Sequence, residues 1–437
     1  MRVYTGMRAV LMVVATAACA ALAQEDERVR WLAEHAVPLR TIAIHENDMS
    51  DLAPLKAAIG GARVVLLGEQ THGDGATFAA KSRLVKFLHR EMGFEVLAWE
   101  SGMEEMRRLD EAFAAGRSVE EAPGIGLFGI WSISQQCQEL LGYVRKERVG
   151  ERPLLTAGFD DQVTTAPSST PFPKKVNGFF DAVDAGMLTA EQRESLGRVF
   201  AWLEQRPGPD RPALPGELGA VRSLLDVVER ERERLEAVHG RREVRFQERA
   251  IGNVVSFVER MKPGVDAFND RDRRMGENLL FLANEYYKGK KIIVWAASMH
   301  NARRVEGLEW VGSANNHRGV RPMGDVLFES MGDGMYSVMF TAYSGRIGRP
   351  WSGAAPIEKA AEGTLEAMLH ATGKPYLFVD FRGLPEGHWL RGPVVARPLG
   401  YAPMRGAWPE SFDAVVFTDR MYPSTAVGAE PEDARPR

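Results

Sequence analysis

Glu69 and His72 stand in the stretch Gly68-Glu69-Gln70-Thr71-His72-Gly73, directly after the apolar run Val64–Leu67. Three further apolar runs end in the same way. Val96–Trp99 runs into Glu100, Leu154–Ala157 into Asp160 and Asp161, and Ile292–Ala296 into Ser298 and His300. A lone loop histidine is most often a surface or structural residue. Two histidines with several carboxylates at equivalent strand ends carry more weight, because an imidazole titrates near neutral pH and a neighbouring carboxylate fixes its tautomer and stabilises the imidazolium formed when it takes a proton. That is the equipment of a general base, with His72 as the first candidate. The loop Gly68–Gly75 leads into a helix starting near Ala76, whose first N–H groups and positive dipole end are expected to face whatever lies against His72 and to stabilise an oxyanion there. Lys81 and Arg83, one turn on, would add charge to that rim or lie on an ion-paired helix face.

These residues need elements to bring them together. The runs named above, with Tyr336–Phe340 and Tyr376–Phe381, are rich in Val, Ile and Leu and read as buried strands, and Ala414–Phe417 reads as an edge strand. Helical patterns separate them. The clearest spans Ala76–Met92, with Phe78, Leu84, Val85, Leu88 and Met92 on one face and Lys81, Lys86, Arg90 and Glu91 largely off it. The alternation predicts an α/β fold with a mainly parallel sheet flanked by helices. In such a sheet ligands bind beyond the carboxyl ends of the strands, where all these polar residues fall. From Thr189 to Met261 the texture becomes long and charged, including Glu229-Arg230-Glu231-Arg232-Glu233-Arg234. It reads as a helical insertion near residues 189–262 whose charge run is a solvated face with i,i+4 pairs, interrupted by a loop at Pro207–Pro215.

Composition bounds the function. The chain has 437 residues, 45% hydrophobic and 26% charged, enough to bury a large core, and its net charge of −4 gives no footprint for nucleic acid. Arg2 and Arg8 precede an apolar run from Ala9 to Ala23 that closes on Ala21-Leu22-Ala23, so residues 1–23 read as a signal peptide and the mature chain as periplasmic or secreted. The run is too short to span a bilayer, and no stable membrane insertion is expected after cleavage. Cys19 lacks the upstream residue usual at a lipidation site, and Cys137 is then the single remaining cysteine, so no internal disulfide can form. The expected folded domain covers residues 24–424, followed by a disordered tail at 425–437.

Several chemistries lack their motifs. There is no Gly-x-Ser-x-Gly, no Gly-x-x-x-x-Gly-Lys-Ser/Thr, no Gly-x-Gly-x-x-Gly after the first strand and no His-Glu-x-x-His. No cofactor and no metal are expected. Glu69, His72 and His300 could in principle ligate one as an alternative, but Glu69-x-x-His72 sits on a glycine-flanked loop rather than a helix face.

The stretch Leu67–Gly73, with Lys81-Ser82-Arg83-Leu84, Gly93–Glu100, Arg271-Asp272-x-x-Met275-x-x-Asn278, Val294-Trp295-Ala296 leading to His300, and Met323-Gly324-Asp325, resembles the erythromycin esterase family over most of the mature chain. The resemblance implies a metal-independent hydrolase in which His72 activates water against a small-molecule ester or lactone. It makes Glu69 the orienting partner of His72 and His300 a second essential histidine, with Glu100 completing the polar rim. Members often carry Glu four residues after the loop histidine, where this chain has Ala76, and Trp-Ala-His-Asn-x-His where this chain has Trp295-Ala296-Ala297-Ser298-Met299-His300. These departures imply a changed substrate pocket, so a macrolide substrate does not follow, and they leave a catalytically drifted binding protein on the same fold as a further alternative.

Overall fold

The computed structural model describes residues 24–163, 170–205, 216–261 and 266–429. The signal-peptide reading, the loop Pro207–Pro215 and residues 430–437 of the tail lie outside them. No described helix is long and apolar enough to cross a membrane.

Twelve strands are described: β1 Val37–Pro38, β2 Val64–Leu67, β3 Phe94–Gly102, β4 Leu155–Asp160, β5 Lys291–Trp295, β6 Glu309–Trp310, β7 Met335–Ile347, β8 Ala355–Ile357, β9 Tyr376–Asp380, β10 Val394–Ala396, β11 Met404–Gly406 and β12 Ala414–Met421. Nine form one sheet in the order β1-β9-β12-β7-β2-β5-β3-β4, with β8 paired to β7. The six strands from β12 to β4 run parallel; β9, β1 and β8 join antiparallel. β6, β10 and β11 make a separate small antiparallel sheet.

The fold is the mostly parallel α/β sheet flanked by helices that the sequence predicts. Its apolar runs are buried on both faces, and alternate residues supply two cores. Val65, Leu67, Leu97, Trp99, Ile293 and Trp295 pack under the Gly75–Met92 and Gln135–Arg148 helices. Val64, Leu66, Val96, Ala98, Ile292 and Val294 pack under the helices between Phe172 and Phe281.

Three expectations change. Ala414–Phe417 is not an edge: β12 lies between β7 and β9, and the edge is closed by β1 on β9. A short apolar run carries no sign of which neighbours will pair with it. The Gly75–Met92 helix is not amphipathic in the expected way, because Lys81, Arg83 and Lys86 are all buried. Lys86 Nζ donates to Ile44 O at 2.8 Å and Asn47 Oδ1 at 3.0 Å, since the segment 41–51 covers that flank. In the charged region, Leu218–Arg230 and Arg232–His239 are two helices divided at Glu231, and the run Glu229–Arg234 forms i,i+3 pairs, Arg232 to Glu229 and Arg234 to Glu231.

Thr425–Ala429, read as the start of a disordered tail, is held in place. Gln135 N donates to Thr425 O at 2.8 Å, and Val427 N to Ile133 O at 3.0 Å. Just before it, Gly75 N donates to Tyr422 O at 2.8 Å and Ser424 N to Gly73 O at 3.0 Å, while the Ser134 and Ser424 hydroxyls lie 2.8 Å apart. Residues 422–429 thus form a strap across the loop after β2 and the start of the Gln135–Arg148 helix.

Candidate active site

β2 delivers the chain to Gly68, whose N–H donates to Val338 O of β7 at 3.0 Å. A Cβ on Gly68 would come within 2.5 Å of Ser298 Oγ and 3.1 Å of Val338 O, so only glycine lets the loops after β2 and β5 pack here. Ser298 N then donates to Glu69 O at 2.8 Å, which locks the two strand ends together.

Glu69 is fully buried. Its Oε1 lies 2.7 Å from His72 Nδ1 and accepts from Trp131 Nε1 at 3.3 Å; its Oε2 accepts from Lys81 Nζ at 2.7 Å. Burial alone would raise its pKa, but the Lys81 charge and the His72 bond hold it below the ordinary value and keep it ionised. Lys81 also lies over the Trp295 ring at 4.1 Å; its pKa is lowered by burial, against the pull of Glu69. With Nδ1 committed to the carboxylate, His72 presents Nε2, which has no hydrogen-bond partner among the described residues. Trp131 stands edge-on to the His72 ring at 5.6 Å. Burial depresses the His72 pKa, but the Glu69 bond and the charges of Glu100 and Glu69 outweigh it, leaving the ring more basic than a free imidazole.

A second cluster lies close enough to act on His72 electrostatically. Glu100 Oε2 accepts from Ala297 N at 3.0 Å, and Oε1 accepts from Arg271 at 2.9 Å and faces His300 Nε2 at 3.3 Å. Arg271 also bonds Asp160 at 2.6 Å and 3.1 Å. His300 Nδ1 lies 2.9 Å from both oxygens of Asp272, and its ring stacks on Phe268. Burial opposes the charged ring, yet Asp272 and Glu100 push the His300 pKa up to about 10. His300 is therefore an imidazolium at neutral pH, donating from both nitrogens, and its 3.3 Å approach to Arg271 is two cations bracketing Glu100 rather than a hydrogen bond. Glu100, against burial, sits well below the usual carboxylate range because His300 and Arg271 flank it.

The sequence profile of the erythromycin esterase family matches residues 89–421. The chain belongs to that family. It is 25% identical to a Bacillus subtilis (strain 168) protein named "Putative hydrolase YbfO" over 453 aligned positions, covering 94% of this chain and 95% of that one. It is 20% identical to an erythromycin esterase type II of Escherichia coli, covering 82% and 89% respectively. The solved structure of a mutant of the erythromycin esterase EreC in its open conformation has the same fold, with a TM-score of 0.66 at 16% identity over 90% of this chain and 99% of that one. The family supports a hydrolase function. Its profile begins after the Gly68–Gly73 loop, so the case for His72 rests on geometry.

Beside the family's pattern, the structure sorts the sequence candidates. Glu69, His72 and Lys81 form the first cluster, and Glu100, Asp160 and His300 the second. Arg83 belongs to neither: two residues along a helix is about 200° of rotation, and its guanidinium turns away to Asp51, at 2.7 Å and 2.9 Å, and to Thr41 O. Asp161 likewise points away from Asp160, to Ser256 and Arg260. Ser298 contributes its backbone; its buried Oγ has no hydrogen-bond partner among the described residues. The expected oxyanion site at the helix start is closed instead. Gly75 N is taken by Tyr422 O, and a Cβ there would meet Pro423 O at 2.4 Å. Asp74, pushed up to about 7 by burial, occupies the cap position, accepting from Thr71 N and, at 2.8 Å, from the Tyr401 hydroxyl.

Glu69, His72 and His300 do not present a metal-ligand set. Each oxygen of Glu69 is engaged, the His300 nitrogens donate to carboxylates, and no group of three such residues converges among the described ones. Arg271, Asp272 and Trp131 are the residues that sequence reasoning left without a role. Arg271-Asp272 stands inside the motif of the resemblance, which was the available signal; Trp131 had none.

Proposed function

We propose that this chain is an exported hydrolase that cleaves an ester or lactone of a small molecule, with His72 as general base. The observation that carries the reading is the buried Glu69 carboxylate, 2.7 Å from His72 Nδ1 and braced by Lys81 and Trp131, which leaves Nε2 free to take a proton. In the reaction, Nε2 removes a proton from water as its oxygen attacks the carbonyl carbon. The tetrahedral adduct then collapses, the C–O bond to the alcohol breaks, and His72 returns the proton to the departing oxygen. Glu69 stabilises the imidazolium formed between these steps. The cluster of Glu100, Arg271, His300 and Asp272 supplies a rigid charged wall on the same rim. Export rests on the leader-like residues 1–23.

The test is hydrolysis of a panel of simple esters, lactones and macrolides by residues 24–437 and its His72→Ala variant, with and without chelator. The expected result is chelator-resistant turnover that falls by 10²-fold or more, on the order of a lost general base, in a variant with an unchanged circular dichroism spectrum. Turnover persisting in folded His72→Ala would overturn the assignment, and loss to chelator would return the metal-dependent alternative.

A further inference from the structure

The hairpin β7–β8 leans over the site. Its base is paired through Gly345 to Ile357 and Ile347 to Ala355, and beyond the base Gly348 N donates to Gly73 O, the residue after His72, at 3.2 Å. A Cβ on Gly73 would meet Gly348 N at 3.0 Å, so two glycines bring the backbones into contact. The tip is a fixed turn: Ser352 N donates to Arg349 O at 3.0 Å, and Arg349 N to Ser352 Oγ at 2.9 Å. That turn holds out Trp351, which is 57% exposed and is the one aromatic among the described large hydrophobic residues left exposed.

Trp351 is not adrift on the surface. Its ring edge lies 3.6 Å from where a Cβ on Gly129 would stand, and Gly129 opens the short helix Gly129–Ser132 that carries Trp131. Phe128, half-buried, meets Trp131 at 6.3 Å, and Trp131 meets His72 at 5.6 Å. The hairpin is therefore bonded to the His72 loop at Gly73 and carries the Trp351 ring near Gly129 of the Trp131 helix, and the His72–Trp131 contact joins those two segments. A single exposed apolar residue ordinarily needs no explanation. An indole carried on a hydrogen-bonded turn, on a hairpin bonded to the loop of a candidate base, is a large flat surface with few torsions to order on binding.

We propose that Trp351, held near Gly129 of the helix that carries Trp131, is a substrate-stacking subsite, and that the ester this site takes carries a planar apolar acyl or alcohol portion. The inference rests on the His72 reading for what is cleaved, but the binding it asserts can be measured without turnover. Two substrates, 2-naphthyl acetate and ethyl acetate, are compared in the wild type, Trp351→Ala and Trp351→Phe, and the dissociation constant of the non-hydrolysable ketone 2-acetonaphthone is measured alongside. The kcat/KM ratio of aryl to alkyl ester is expected to fall about ten-fold in Trp351→Ala, and 2-acetonaphthone to bind about ten-fold more weakly, the size of one aromatic pair. Trp351→Phe should restore most of both. If no ester is turned over but the ketone binds and loses affinity in Trp351→Ala, the His72 reading fails and the subsite stands. An unchanged ratio with unchanged ketone affinity, or no ketone binding to the wild type, overturns the subsite.

Discussion

At the residue scale, the central fact is that among the described residues the Glu69 carboxylate has three side-chain hydrogen-bond partners and the His72 ring has one. The carboxylate is held by Lys81, Trp131 and His72, so it cannot swing, and it fixes which nitrogen of His72 faces outward. It also makes His72 more basic than a free imidazole, opposing burial. A general base works in its neutral form, so kcat/KM should rise with pH and level off above the His72 pKa, with the midpoint above the 6.5 of an ordinary histidine. Glu69→Gln removes the negative charge, keeps one amide oxygen as an acceptor and leaves Lys81 nearby. Its pH–rate midpoint should move to lower pH, with kcat down on the order of 10²-fold. A pH–rate profile of both proteins checks the sign, and a midpoint that stays put would detach Glu69 from His72.

The element scale explains what could be read from the sequence. Val64–Leu67, Val96–Trp99 and Ile292–Ala296 are legible because a strand buried on both faces must be a continuous apolar run, and the polar residues just after such runs fall at one rim when the strands are parallel. Glu69 with His72 was legible for the same reason, being local. The second cluster was not: Asp272, which bonds His300, and Arg271, which bonds Glu100, project from the Ala267–Phe281 helix, whose local pattern says nothing of the strand end it will face. Arg83, left open between the rim and an ion-paired face, takes the ion-paired face, and charge spacing along a helix could not decide this because it does not reveal that the segment 41–51 wraps the far side. Gly68 is where two elements depend on one residue. Gly68→Ala puts a methyl 2.5 Å from Ser298 Oγ and 3.1 Å from backbone at Val338, so moving the serine hydroxyl alone gives no escape. The substitution should lower stability by about 1–3 kcal/mol, read as a lower urea midpoint with unchanged slope.

Over the whole molecule, buried ionised groups tie stability to pH. The folded-state pKa of His300 is about 10, above that of an unfolded histidine at 6.5. Its contribution is thus fully present below pH 6.5 and lost as pH rises through about 10. Asp74, raised to about 7, runs in the same direction over a lower window, its contribution present below 3.8 and gone above 7. Glu100 runs oppositely: its lowered pKa gives stability above its unfolded value that is lost in acid. Asp74, His72, Lys81 and Cys137 also have shifted pKa values that bear on the range from pH 7.5 to 10, so urea unfolding across it is compared between the wild type and His300→Gln, which share those groups. The unfolding free energy should decline across that range in the wild type and much less in His300→Gln. Equal slopes would mean that His300 is not held as an imidazolium.

The strap at residues 422–429 bears on the order in which the molecule can be finished. It follows every other described element in the chain, yet it closes the helix start behind His72 and grips the segment next to Trp131, and β12 just before it is an interior strand. A polypeptide that becomes available from its N-terminus onward, so that earlier portions tend to fold first, can build β2, its loop and the Gly75–Met92 helix before it can lock them. The base is therefore present in the chain long before it can be secured, and the site matures only when the last described residues reach the loop after β2 and the start of the Gln135–Arg148 helix.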